Sequence, residues 1–206
     1  MGKVSFMSKL GRKEEILQIA SRLFSKKGYH GTTIRNISDE CGILAGSLYA
    51  HINSKEDLLY EITSRGAKAF LRSLRKVIES ELEPREKMRL ALREHIKVVA
   101  EDIDAATVFF HEWKALTGER RQEIQRQRDE YEKLWEEILQ AGINSGEFPK
   151  LDKKFAKLLI LSTGNYLYQW YKPNGELSQE EIADQFSELI LTALTSKKGN
   201  GIELKE

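Results

Sequence analysis

The sequence predicts an all-α protein of about nine helices, and three observations carry that prediction. Strand patterns are nearly absent, apolar residues recur at helical spacing from end to end, and Gly, Pro, Asn and Ser punctuate the pattern between the periodic stretches. Of its 206 residues 40% are hydrophobic, enough for one medium or two small domains and too much for a disordered chain.

The first helix is expected over about 12–27, with Ile16, Ile19, Ala20, Leu23 and Phe24 on one face and Gly28 as its stop. After Tyr29-His30-Gly31, Thr32 or Thr33 caps a short second helix that presents Ile34, Ile37 and Cys41, and Gly42 ends it. Ile43-Leu44 leads into a third short helix through Ala45 to His51. Ser54 with Asp57 three residues on reads as a capping box for a long helix, about 54–80, striped by Leu58, Ile62, Ala69, Leu74 and Val77. Such a helix spans ~40 Å. Glu83-Pro84 marks a break. Helices then follow at about 85–101, 104–116 and 119–143, the last carrying Tyr131, Leu134, Trp135, Ile138 and Leu139, with Gly142, Gly146 and Pro149 as its terminators. A helix over 152–171 is apolar nearly all round at Leu158 to Leu161 and is expected to be buried on more than one side. Pro173-Asn174-Gly175 turns the chain, and Ser178 with Glu181 caps a last helix to about 196. The tail from Lys197 is polar. The expected division is 1–53 and 54–206, joined by the helix at 54–80.

Several function classes are excluded at this level. No apolar run approaches the ~18 residues of a membrane span, and Met1 to Gly11 carries no signal-peptide core. One cysteine, Cys41, forms no intrachain disulfide and suits a reducing compartment, so a cytoplasmic protein is expected. Four scattered histidines offer no metal-ligand spacing, and His111-Glu112 lacks the second histidine of a metalloprotease helix. There is no phosphate loop, nucleophile elbow or oriented Cys/His pair, so neither an enzyme nor a cofactor is expected. Residues 1–60 carry nine Lys/Arg against six Asp/Glu, while the remaining 146 carry 24 against 26. That excess acquires meaning only with a motif inside it.

The motif lies between Thr32 and Leu59, where two short helices flank a turn at Cys41-Gly42-Ile43 in helix-turn-helix spacing. Ile34, Ile37, Cys41, Ile43 and Leu48 form its inner set, leaving Ala45, Ser47, Tyr49 and His51 outward. Thr33 at a helix start suits a phosphate, as do Tyr49, His51 and Lys55, with Lys3, Lys9, Arg12 and Lys13 as further phosphate contacts. Arg35 suits a guanine edge, Ala45 a thymine methyl, and Gly46 a close approach. Thr32-Thr33-Ile34-Arg35-Asn36-Ile37, Cys41-Gly42-Ile43, Gly46-Ser47-Leu48-Tyr49-Ala50-His51-Ile52 and Ser54-Lys55-Glu56-Asp57-Leu58 resemble the DNA-binding domain of TetR-type transcriptional regulators over about Lys9 to Thr63. The resemblance implies DNA contacts from Thr32, Thr33, Arg35, Ala45, Gly46, Ser47, Tyr49, His51 and Lys55. It also implies a homodimeric repressor on a double-stranded, inverted-repeat operator, released by a small ligand, with no membrane role. Helices 152–171 and 178–196 would then form the dimer's four-helix bundle.

The effector is the less constrained part. Phe109, Phe110, Trp113, Arg128, Tyr131, Asn165, Tyr166, Gln169 and Trp170 place aromatic and polar groups together in a pattern that suits an apolar cavity with a few orienting groups. His111-Glu112-Trp113-Lys114, Arg128-Asp129-Glu130-Tyr131 and Trp170 to Gly175 are similar to stretches in TetR-type repressors of lipid, fatty-acid or steroid breakdown that respond to acyl-CoA thioesters. Arg120, Arg121, Arg126 and Arg128 suit the CoA phosphates, or equally a solvated helix face. Two effector classes stay open, an acyl-CoA and a cationic or neutral aromatic compound of the multidrug type. A helical interaction module or enzyme without DNA binding is the rival class.

Overall fold

The computed structural model describes residues 11–196, which leaves Lys3, Lys9 and the tail from Lys197 outside the described residues. Among those residues every regular element is helical and none is a strand. The α-helices are α1 (Arg12–Lys27), α2 (Ile34–Glu40), α3 (Ala45–Leu48), α4 (Lys55–Ile78), α5 (Pro84–Glu101), α6 (Ile103–His111), α7 (Gly118–Ser145), α8 (Lys153–Asn165), α9 (Leu167–Trp170) and α10 (Gln179–Thr195), with one 3-10 turn at Trp113–Ala115. The expected helix over 152–171 is broken at Tyr166 into α8 and α9. No helix among the described residues is long and apolar enough to cross a membrane.

The ends of the helices follow local chemistry. Glu14 and Glu15 sit in the first turn of α1 and Lys26 and Lys27 in its last, complementing the helix dipole. Thr33, not Thr32, caps α2: its hydroxyl oxygen accepts the Asn36 N–H at 3.1 Å and Asn36 Oδ1 accepts the Thr33 N–H at 2.9 Å. At α4 the Ser54 hydroxyl accepts the Asp57 N–H as expected, but the Asp57 carboxylate reaches back to the N–H of Asn53. Ser178 and Glu181 form the expected box at α10. Gly142 does not end α7; a Cβ there would overlap the Phe148 ring, and the helix stops at Gly146, whose φ of 80° is natural only for glycine.

The contacts divide the chain into two compact units. One comprises the chain to Ala69 with Asp102–Arg128; the other comprises Phe70–Glu101 with the chain from Asp129. The first is therefore larger than the 1–53 segment, because α1 packs on α6. Its core includes Ile16, Ala20, Phe24, Ile37, Leu48 and Leu59, at about 1.5–3 kcal/mol for each large apolar side chain fully buried. In the second unit α5 packs on α10 and α8, around Met88, Leu92, Ile96, Trp135 and Leu191. Leu158 and Leu159 are exposed, so the expected burial of α8 on more than one side is not met within one chain.

Candidate nucleic-acid interface and effector region

The two short helices α2 and α3 are held by their inner faces. Ile37 and Leu48 are fully buried, Cys41 joins them, and burial pushes the Cys41 thiol up to about 11. Gly42, at φ 66°, turns the chain between them, and the Ile43 N–H bonds Ser38 O at 3.0 Å. The outer surface carries Thr33, Arg35, Ala45, Gly46, Ser47, Tyr49 and His51, all exposed. The Arg35 side chain is 87% exposed and its ion pair to Asp39 is long, at 3.8 Å. Such a pair is worth little in water and leaves the guanidinium available. Tyr49 is 53% exposed. His51 borders a crevice of about 210 Å³ with Lys13, Asp57 and Arg120.

Two of the expected DNA residues point elsewhere. Thr32 is fully buried and its hydroxyl donates toward Leu23 O and Gly28 O, closing the end of α1. Lys55 donates from Nζ to Tyr29 O at 2.8 Å and to Thr32 O at 2.7 Å, and lies 4.1 Å from the Tyr29 ring centre. Burial lowers its pKa. A charge at a helix start looks like a phosphate ligand in the sequence, but here it ties the α1–α2 turn to α4. Arg12 pairs with Glu15 and Lys13 with Glu61.

The same compact unit holds part of the expected effector set. Arg128 lies with its guanidinium carbon 4.8 Å from the Phe109 ring centre and 5.1 Å from that of Trp113. It also donates to Phe109 O at 3.2 Å, and Phe110 packs on Phe109 at 5.4 Å. Glu112 caps α6 and accepts the Tyr29 N–H at 2.8 Å, a role that its place in the His111 to Lys114 stretch did not indicate. Beside it Thr117 bonds Glu56, Tyr60 donates to Glu123, and Arg120 meets Asp57 at 2.5 Å. Burial alone would raise the Asp57 carboxyl; the Arg120 guanidinium and Ser54 more than offset it and hold it low.

The rest of the set lies in the second unit and is itself divided. Tyr131 and Asn165 meet around a residue the sequence reading missed, His95, whose Nδ1 lies 2.8 Å from the Tyr131 hydroxyl. Burial lowers the His95 pKa to about 4 against the opposing Gly164 backbone and Asn165 side chain. Phe70 and Trp135 complete the aromatic wall of this cluster. Gly164 is required there, since a Cβ would lie 2.5 Å from the imidazole. Tyr166 and Gln169 are exposed, and Trp170 packs edge-on to Phe186 beside an open hollow of about 270 Å³. No three His, Cys, Asp or Glu side chains among the described residues gather in a metal-binding cluster.

Comparison with known proteins follows the same two parts. The family described as "Bacterial regulatory proteins, tetR family" matches residues 16–62, and "Tetracyclin repressor-like, C-terminal domain" matches residues 81–194. The HTH-type transcriptional repressor KstR2 of Rhodococcus jostii (strain RHA1) is 30% identical over 190 residues, 91% of this chain and 93% of its own. The structure of the ketosteroid transcriptional regulator KstR2 of Mycobacterium tuberculosis superimposes with a TM-score of 0.86 at 27% identity, covering 91% of this chain and 96% of that one. AibR, solved in complex with isovaleryl coenzyme A and operator DNA, gives 0.77 at 30% identity over 90% and 98%. With an outward-facing helix-turn-helix and a matching helical C-terminal region, the chain belongs to the TetR family of DNA-binding transcriptional regulators.

Proposed function

We propose that this regulator represses genes of lipid or steroid breakdown and leaves its operator when an acyl-CoA thioester binds. The observation that carries the effector reading is Arg128 lying against Phe109 and Trp113. Phe109 and Trp113 are buried against Arg128, and a ligand that parts this packing would meet aromatic rings for an acyl chain and a guanidinium for a thioester carbonyl or phosphate oxygen. The relatives support this class, being a ketosteroid regulator and a regulator solved with isovaleryl coenzyme A. The dimer is part of the proposal: an inverted-repeat operator needs a two-fold protein, and α8 and α10 leave apolar side chains uncovered.

A thermal-shift and operator-release screen tests it. Acyl-CoAs of increasing chain length should stabilise the protein and release its promoter duplex, while the free acids and CoA alone do so poorly. If only cationic dyes stabilise and release, the acyl-CoA reading is wrong. In the same assay Tyr49→Phe should weaken binding on all sequences by about 1 kcal/mol. Arg35→Ala should remove about 1–3 kcal/mol of preference at one operator position.

A further inference from the structure

We propose that Leu44 reads thymine in the operator, seating its side chain against C5-methyl groups in the major groove. The inference rests on the DNA-binding reading above. Leu44 occupies the N-cap of α3 and is 80% exposed, more than any other large apolar residue described. Its position is ordinarily filled by Ser, Thr, Asp or Asn, whose oxygen satisfies an orphan N–H of the first turn. Here α3 has no side-chain cap. An apolar residue at this point forgoes a cap worth about 1 kcal/mol and leaves a leucine in water, so the isolated chain gains nothing from it.

The surroundings indicate what covers it. In helix-turn-helix docking the residues at the N-terminus of the second helix meet the base edges, and Leu44 stands at that end. Ala45, Gly46 and Ser47 beside it are small and exposed, so the leucine projects beyond them. From Leu44 to Tyr49 the chain holds no Arg, Lys, Asn or Gln, the side chains that pair with the polar edges of guanine and adenine. The polar groups left to this stretch are the hydroxyls of Ser47 and Tyr49, and the feature of the major groove that its apolar side chains can read is the thymine methyl. Ala45 was the candidate for that contact by sequence; Leu44 has the longer reach and the greater exposure.

The experiment compares two forms of the protein's own promoter duplex, one made with thymine and one with deoxyuridine, which pairs identically but lacks the methyl. Affinity is measured at one fixed salt concentration. Wild type should bind the uracil duplex about fifteenfold more weakly, since each buried methyl is worth roughly fourfold and a two-fold site offers two. Leu44→Ala should bind both duplexes alike, with unchanged affinity for unrelated DNA and an unchanged melting temperature. Leu44→Met should keep most of the discrimination. A wild type that binds the promoter but ignores the methyl overturns the proposal. So does a Leu44→Ala variant that keeps the full ratio, and an Ala45→Gly variant that alone abolishes it would assign the contact to the neighbour. If Leu44→Ala alters the oligomeric state but not the ratio, Leu44 seats against protein and the proposal fails. A wild type that does not retard the promoter duplex overturns the DNA-binding reading as well.

Discussion

His95 is fully enclosed by Phe70, Tyr131, Trp135 and the backbone of Gly164, and none of these supplies a negative charge. A histidine held neutral in this way links folding to pH. Its folded pKa of about 4 lies below the ordinary 6.5, so between those values the unfolded chain binds more protons. The stabilisation is complete above pH 6.5 and is lost as pH falls toward 4, by up to about 3 kcal/mol. Denaturant unfolding at pH 7 and pH 4.5 should show that drop, and His95→Gln should flatten it. A pH-independent difference between the two proteins would sink the idea. Neither this cluster nor the roles of Lys55 and Thr32 were legible in the sequence. Each depends on carbonyls or rings that arrive from distant positions: Lys55 answers Tyr29 and Thr32, and His95 answers a tyrosine 36 residues later.

At the scale of helices the local code did much better. Ser54 with Asp57 and Ser178 with Glu181 place two helix starts correctly, and Gly28 ends α1 where the pattern predicts. The break between α8 and α9 was invisible because its neighbourhood is tertiary, with Gly164 fitting beneath the His95 ring just before Tyr166. The apolar girth of α8 was legible, but among the described residues nothing covers its outer face. Phe155, Leu158 and Leu159 stay exposed on α8, Tyr166 just past its end, and Leu189, at 66%, on α10. Leu189→Glu puts a charge on that face in each copy and should convert a dimer to a monomer at micromolar concentration. The lost burial of two leucines alone is worth about 3–6 kcal/mol, on the order of a hundredfold or more in dissociation constant. Sedimentation velocity reads this directly, and an unchanged dimer would place the interface elsewhere.

Across the molecule, the compact unit that carries the helix-turn-helix also contains α6 and the start of α7. The proposed effector residues Phe109, Trp113 and Arg128 therefore belong to the same packed body as α2 and α3. Glu112 sits between Phe109 and Trp113 in sequence and holds the Tyr29 N–H, while Tyr29 O and Thr32 O take Lys55 just before the Thr33 cap. A ligand that shifts α6 changes what the α1–α2 turn is bonded to, and the free energy of that change limits how far DNA affinity falls. Glu112→Ala removes a hydrogen bond to a charged acceptor, about 1.5–3 kcal/mol. It should raise the acyl-CoA concentration needed for half-release by about tenfold while thermal shift still reports ligand binding. An unaltered release curve would exclude Glu112 from the coupling.

The enclosure of Cys41 has a practical side. The chain's single thiol is buried and held protonated near neutral pH, so maleimide reagents meet a poor nucleophile there. A cysteine introduced at an exposed site such as Gln18 on α1 becomes a unique attachment point for a spin label or dye without deleting the native one. In a two-fold assembly one such label per copy forms a molecular ruler. The spacing of the two DNA-reading heads then becomes a distance distribution, recorded free, on operator and with acyl-CoA.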